Sequence, residues 1–216
     1  MDNLNNTTLN ITEIFYSLQG EAKEVGIPTV FVRLTGCPLR CNYCDTAYAF
    51  KGNNPVSIQH ILDEIAQYNT EYVCVTGGEP MAQSNCLKLL DALIDNDYKV
   101  SMETSGSIDI APVNSKVSIV MDIKTPSSTE EHQNRYENLS ILKNKDQLKF
   151  VIASRLDFDW CTKILENHEV ESEVLFSPVY ESLKPVELAD WILEKKLNVR
   201  LQVQLHKILW GDQKGK

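Results

Sequence analysis

Short apolar runs rich in β-branched residues alternate along this chain with longer segments whose apolar residues recur at helical spacing. The runs over residues 29–34, 72–76, 98–103, 117–122, 148–153, 173–177 and 199–205 predict strands. Ser57 is placed to cap a helix whose Ile58, Ile61, Leu62 and Ile65 share one face. Further helices are predicted over residues 83–95, 156–167 and 185–196, the last with proline in its first turn. Strand-helix alternation of this kind gives a parallel sheet with right-handed crossovers, either an open doubly wound sheet or a barrel. Eight complete βα units need about 250 residues. The 216 residues here therefore predict an α/β fold in the form of an incomplete (β/α) barrel, with parallel strands inside and helices outside. Residues 1–10, rich in Asn and Thr, read as a flexible leader, residues 11–210 as a single partial-barrel domain and residues 211–216 as a C-terminal tail.

Composition narrows the class. Apolar residues make up 43% and charged residues 24%, which excludes collagen-like, disordered and disulfide-scaffold chains. The net charge of −9 has the wrong sign for a general nucleic-acid coat or a binder of anionic membranes. No apolar run approaches the about 18 residues of a membrane span. The start, Met1-Asp2-Asn3-Leu4-Asn5-Asn6, lacks the basic and apolar regions of a signal peptide. A cytoplasmic protein follows, in a reducing compartment where the six cysteines are thiols or metal ligands before they are disulfides.

In either parallel architecture the reactive end is the carboxyl edge of the sheet, where the loops after the strands converge. Cys37, Cys41 and Cys44 lie in the first such loop, spaced C-x3-C-x2-C and able to turn three sulfurs to one centre. A disulfide strands the third cysteine. A structural zinc wants a fourth ligand, and no second cysteine pair supplies one. Three thiolates without a fourth match a 4Fe-4S cluster that leaves one iron open to a substrate group. Cys74, Cys86 and Cys161 read as core thiols.

The triplet, followed on the next strand end by Gly77-Gly78-Glu79-Pro80, resembles the radical S-adenosylmethionine enzymes. In that reading the open iron chelates the methionine end of the cofactor. The glycines let backbone approach it without a Cβ in the way, and Glu79 accepts from its ammonium; the bland alternative for Gly-Gly is a strand-end turn. The resemblance narrows with Leu18-Gln19-Gly20-Glu21, Arg33, Asp45-Thr46, Glu103-Thr104-Ser105-Gly106, Lys124-Thr125-Pro126-Ser127-Ser128 and Gln204-Leu205-His206-Lys207. Together these are similar to the 7-carboxy-7-deazaguanine synthases, over residues 11–210.

That resemblance implies conversion of 6-carboxy-5,6,7,8-tetrahydropterin to 7-carboxy-7-deazaguanine with release of ammonia, in queuosine and 7-deazapurine biosynthesis. It implies a 4Fe-4S cluster, S-adenosyl-L-methionine and Mg2+, with a 5′-deoxyadenosyl radical taking hydrogen from C6 of the pterin. A flavodoxin or ferredoxin reductant and a homodimer are implied as well, with no membrane and no direct nucleic-acid partner. The cofactor residues are Tyr43, Cys44, Asp45, Gly78, Glu79, Ser105, Asp122, Ile123, Lys124, Ser177, Pro178, Val179 and Tyr180. Many relatives carry Ser-Pro-Lys where this chain has Asp122-Ile123-Lys124, a departure at the first two positions. Leu18, Gln19, Gly20, Arg33, Thr76 and the C-terminal carboxylate of Lys216 are implied to meet substrate, Thr46 to bind magnesium, and Glu103 and His206 to be catalytic. Each has a plainer alternative: an internal salt bridge for Arg33 and Glu103, a helix cap for Thr46, a packed polar strand-end residue for His206.

Two rival readings stay open at this point. A different radical S-adenosylmethionine enzyme, such as an activator of a glycyl-radical partner, shares the cysteines and Gly-Gly-Glu-Pro but has no reason to carry Arg33, Thr46 and His206 here. A zinc-stabilised binding module is the other.

Overall fold

The computed structural model describes residues 4–216. Strands β1 (Thr8–Leu18), β2 (Pro28–Leu34), β3 (Pro55–Ser57), β4 (Tyr72–Gly77), β5 (Lys99–Thr104), β6 (Ser118–Ile123), β7 (Gln147–Ile152), β8 (Glu173–Pro178) and β9 (Arg200–Leu201) form one sheet. Its order is β3-β1-β2-β4-β5-β6-β7-β8-β9. From β2 onward every pairing along that order is parallel, while β1 runs antiparallel to both β2 and β3. Helices α1 (Ile58–Ile65), α2 (Cys86–Asp95), α3 (Arg155–Asn167), α4 (Pro185–Lys195) and α5 (Leu205–Trp210) complete the elements. Ser57 caps α1 by accepting from the His60 amide at 3.2 Å, and Ser154 caps α3 through the Asp157 amide. No helix among the described residues is long and apolar enough to cross a membrane.

The strand period of two sorts side chains to two faces. Val30, Val32, Val73, Val75, Met102, Met121, Ile123, Phe150 and Phe176 turn outward and pack under Ile61 and Ile65 of α1, Leu89 and Leu93 of α2, Phe158 of α3 and Leu188 of α4. Phe31, Arg33, Thr76, Glu103, Val120, Asp122, Lys149 and Val151 turn inward and line a cavity. Residues 105–117 and 124–146 carry no α-helix, so the helical jacket is interrupted where β5, β6 and β7 are joined. The result is a mixed but mostly parallel α/β sheet that does not close on itself, the incomplete barrel the alternation predicts.

What spans the open side is the β1–β2 loop. Its Ala22 is fully buried at φ 63°, in the left-handed region, with its amide donating to Gln202 Oε1 at 2.6 Å and its carbonyl accepting from Gln202 Nε2 at 3.1 Å. The next amide, of Lys23, donates to Gln147 Oε1 at 2.8 Å. The loop at one side of the sheet is thus bonded to β7 and to the residues after β9.

Three expectations need correction. The leader expected over residues 1–10 is ordered from Leu4, which packs on the core, and β1 begins at Thr8 with Leu9 buried; residues 1–3 lie outside the described residues. Neither β1 nor β3 is anticipated by the apolar runs. The last strand, expected over residues 199–205, shrinks to Arg200–Leu201, because Gln202 and Gln204 turn their amides to the β1–β2 loop instead of continuing a ladder. His206 accordingly lies in the first turn of α5 and not at a strand end.

Candidate active site

The inward residues and the loops at the carboxyl edge enclose one cavity of about 630 Å³. On one wall the loop after β2 carries Cys37, Cys41 and Cys44, all free thiols, all part-exposed and all lining the cavity. Burial raises the pKa of each, Cys41 to about 11, with both other thiols adding to the shift at Cys41 while the Lys124 ammonium pulls all three down. The loop is tied down by Tyr43, whose hydroxyl lies 3.0 Å from Thr125 Oγ1, and by the Asn42 amide on the Ser128 carbonyl at 3.2 Å. Arg40 donates to the Cys37 and Leu39 carbonyls at 2.7 and 2.6 Å with its guanidinium over Phe50 at 4.4 Å.

Behind this loop sit Gly77 and Gly78. A Cβ at Gly78 would lie 2.2 Å from the Gly36 carbonyl oxygen and 2.9 Å from Cys37 Cβ. The Glu79 amide donates to that same Gly36 carbonyl at 2.8 Å. The glycines therefore let the cysteine loop seat against β4, a role beyond the cofactor approach expected of them. Glu79 is a correction. It is fully buried, absent from the cavity wall, and its carboxylate accepts from Thr104 Oγ1, from the Ser105 amide and hydroxyl, and from the Met81 amide. It braces the turn after β5 and is not free for a ligand ammonium.

The facing wall is built by β1, β2, β4 and β5. Thr76 Oγ1 donates to Glu103 Oε2 at 2.9 Å and Gln19 Nε2 to Glu103 Oε1 at 3.4 Å. Arg33 Nε donates to Glu13 Oε1 at 2.8 Å, and its guanidinium lies 5.6 Å from the Phe15 ring centroid and 5.9 Å from that of Tyr48. Burial works against that charge, but Tyr48, Glu13 and Glu103 outweigh it and hold the Arg33 pKa above its ordinary value. The internal salt bridge weighed for Arg33 thus exists alongside its place on the cavity wall. Tyr48 donates to Glu13 at 2.7 Å; burial first, then this bond, pushes its pKa up to about 12.

Thr46, at the mouth, precedes a short 3-10 turn, Ala47–Ala49, without capping it, and its hydroxyl donates to Asp45 Oδ1 at 2.8 Å. The helix-cap alternative fails, leaving the hydroxyl lone pairs available. On β6, Asp122 Oδ2 pairs with Lys124 at 2.9 Å while Asp122 Oδ1 is buried without a partner, as is Ser177 Oγ on β8. Alternation sends Ile123 the other way, fully buried in the outer core, so its side chain cannot reach the cavity; Ser177 and Pro178 are likewise buried and off the wall. The His206 ring packs on Gly20, where a Cβ would fall 2.1 Å from its Nδ1.

Leu18, Gln19, Gly20, Arg33, Tyr43, Cys44, Asp45, Gly78, Ser105, Val179, Tyr180 and His206 all line this one cavity, as does Lys216 at the end of the tail. Sequence reasoning missed Glu13 and Tyr48, which frame Arg33, and Lys149, which pairs with Glu21 on the floor.

The fit of the implied groups can be judged from these donors. Among the described residues no three His, Cys, Asp or Glu groups converge on a single-ion site. Three soft thiols spread around a shared space suit an iron-sulfur cluster, and no fourth ligand completes a tetrahedral zinc. The unpartnered oxygen of Asp122 on the cavity wall and the spare lone pairs of Thr46 are what a polar cofactor and a hard cation would satisfy.

Residues 31–139 match the model of the Radical SAM superfamily. The chain is 39% identical to the 7-carboxy-7-deazaguanine synthase of Chlorobaculum tepidum, over 96% of this chain and 97% of that one. It is 40% identical to the enzyme of the same name from Koribacter versatilis, over 94% and 97%. In fold it is similar to the crystal structure of QueE from Escherichia coli, with a TM-score of 0.78 at 22% identity, covering 94% of this chain and 96% of that one. By sequence over nearly its whole length, this chain belongs to the 7-carboxy-7-deazaguanine synthases of the radical SAM superfamily.

Proposed function

We propose that the chain converts 6-carboxy-5,6,7,8-tetrahydropterin to 7-carboxy-7-deazaguanine with release of ammonia. The observation that carries this reading is the presence, within one cavity, of the three free thiols and a carboxylate, Glu103, that forms no ion pair among the described residues. Glu103 accepts from the neutral donors Thr76 and Gln19. An aminopyrimidinone edge offers two parallel N–H donors and matches such a carboxylate.

Cys37, Cys41 and Cys44 would hold the 4Fe-4S cluster, and Tyr43, Gly78, Ser105, Asp122, Lys124, Val179 and Tyr180 would surround S-adenosylmethionine. When bound, these groups supply one-electron chemistry and a hydrogen-abstracting radical. The chain itself orients and excludes water. Arg33, stiffened between Phe15 and Tyr48, offers its outer nitrogens to the substrate carboxylate. Leu18, Gln19 and Gly20 form the wall beside Glu103, with His206 on Gly20. Thr46 would give magnesium one hard oxygen, the carboxylate of the substrate and water giving the rest. The tail closes the mouth, with Lys214 over Tyr48 at 4.4 Å and Lys207 bonded to Asp212 at 2.6 Å.

A homodimer is the assembly we propose, supported by the exposure of Leu156, Val186, Leu193 and Ile208 at 79%, 62%, 73% and 66%. A flavodoxin or ferredoxin is the reductant of this reading, and the cytoplasm, where six free thiols stay reduced, its setting. The test is an anaerobic assay of reconstituted protein with the carboxytetrahydropterin, read by product mass. Formation of the carboxydeazaguanine is the result expected; its absence in protein that still cleaves S-adenosylmethionine points to another radical SAM reaction.

A further inference from the structure

The C-terminal tail is held over the cavity by few polar contacts. Gly211, at φ 61° and ψ −129°, turns the chain out of α5, and residues 211–216 all line the cavity. Lys207 Nζ bonds to Asp212 Oδ1 at 2.6 Å, and the Gln213 amide donates to the Trp210 carbonyl at 3.3 Å. From Lys214 onward the tail makes no hydrogen bond or ion pair among the described residues. What seats this last stretch is the Lys214 ammonium, 4.4 Å from the centroid of the Tyr48 ring.

Tyr48 is engaged a second time, at its other end. Its hydroxyl donates to Glu13 Oε1 at 2.7 Å, and the same oxygen accepts from Arg33 Nε at 2.8 Å. The Arg33 guanidinium is itself 5.9 Å from the Tyr48 ring centroid. With Nε given to Glu13, the two terminal nitrogens of Arg33 make no bond among the described residues, and they are the pair that a substrate carboxylate can take in a fork. Their aim follows from where Glu13 holds Nε, because a guanidinium is planar and rigid. A tyrosine ring and its hydroxyl are likewise one rigid plate on two torsions, so a ring that shifts with Lys214 carries the hydroxyl, and with it Glu13.

We propose that Tyr48 is a positioning residue that couples the tail to Arg33: its ring seats Lys214, its hydroxyl steadies Glu13 beneath Arg33, and seating of the tail therefore tightens the grip on the substrate carboxylate. Neither Tyr48 nor Lys214 needs to touch the substrate for this. The inference rests on the reading of Arg33 as the partner of that carboxylate.

The experiment measures KM and kcat for carboxytetrahydropterin with reconstituted protein, and amide hydrogen exchange over residues 211–216. Tyr48→Phe keeps the ring and removes the hydroxyl. It should raise KM about three- to tenfold with kcat within about twofold of the parent, and leave exchange of the tail unchanged. Lys214→Met should speed exchange of the tail and raise KM about two- to fivefold, the scale of one exposed cation–π contact. The decisive protein is the double variant, in which Lys214→Met should add nothing to the KM of Tyr48→Phe, since the path to Arg33 is already cut. A double variant whose KM rises by the product of the two single effects shows that tail and Arg33 act independently and overturns the proposal, as does a parental KM in Tyr48→Phe. Should Tyr48→Phe fail to fold, Glu13→Gln takes its place in the cycle, with the same outcomes. Arg33→Gln separates the two levels of the argument: a parental KM there overturns the role of Arg33 and this inference with it. A KM raised at least about tenfold in Arg33→Gln, beside independent effects of Tyr48 and Lys214, overturns the inference only.

Discussion

Replacing Gly78 by alanine is the sharpest test of how the cysteine loop is seated. The new Cβ would stand 2.2 Å from the Gly36 carbonyl oxygen, about 0.8 Å inside the 3.0 Å that side-chain carbons keep from their neighbours. Backbone on both sides must therefore part. The Gly36 carbonyl accepts from the Glu79 amide at 2.8 Å and cannot retreat that far and keep the bond. Overpacking of about 1–3 kcal/mol and one lost hydrogen bond of about 1 kcal/mol give a cost of about 2–4 kcal/mol. For a domain of this size that is a fall in Tm of about 5–15 °C. Because Cys37 Cβ is 2.9 Å from the same added carbon, the displacement reaches the first thiol. The assay is thermal unfolding of the apo protein with iron counted after anaerobic reconstitution, expected to drop to less than half of the about four irons of the parent. Gly52→Ala, whose Cβ meets only the Thr35 side chain, its methyl at 3.2 Å and its Oγ1 at 3.6 Å, is the control. A Gly78→Ala protein that melts within about 2 °C of the parent and fills with iron would refute the reasoning.

Alanine at Cys37, Cys41 or Cys44 should abolish the broad visible absorption of reconstituted protein, whereas Cys161→Ala, on the buried face of α3, should keep it; a colourless parent holding one zinc would reverse the assignment. Thr46→Ala should lose stimulation by magnesium and release 5′-deoxyadenosine with little deazaguanine, measured by chromatography; an unchanged magnesium response removes Thr46 from the metal. Tyr48 has its folded pKa raised to about 12, by burial and by its bond to Glu13, so the native state holds the phenolic proton more tightly than the unfolded chain. The stability this adds is fully present below about pH 10 and is lost as pH rises through about 12. Phenolate absorption should show a component near that midpoint that vanishes in Tyr48→Phe.

Much of the fold is legible because local period and tertiary role agree. Ile58, Ile61, Leu62 and Ile65 repeat at helical spacing and are buried, and each parallel strand of the sequence reading exists within a residue or two apart from the last. β1 is hidden for a physical reason. A bulge between Ile11 and Glu13 reverses its phase, so that Leu9 and Ile11 are buried on the core side while Phe15 joins the cavity wall. No single alternation runs through it. The last strand misleads in the opposite sense: Val199, Leu201, Val203 and Leu205 alternate well, but the glutamines between them are engaged across the barrel. Of the site, the cysteines are legible from spacing alone, and Arg33, Glu103 and Thr46 only through the family resemblance. The side chains of Glu79 and Ile123 turn away from the cavity, and a carboxylate beside a Gly-Gly turn and a residue between Asp122 and Lys124 give no sign in the sequence of which way they face.

The bonds between Ala22 and Gln202 join positions 180 residues apart. Closing a loop of that length directly, in place of one of about 20 residues, costs about 2 kcal/mol more in chain entropy, comparable to what the two hydrogen bonds return. They do not nucleate folding; they form once the intervening strands have added one by one and brought both partners together. The cysteine triplet, by contrast, is complete by residue 44 and emerges early from the ribosome. During synthesis there is thus an interval in which the thiols exist and the floor of the cavity does not. Iron acquired in that interval would sit in an open, solvent-swept half barrel. The order of assembly favours chains that receive their cluster only after residue 202 has docked.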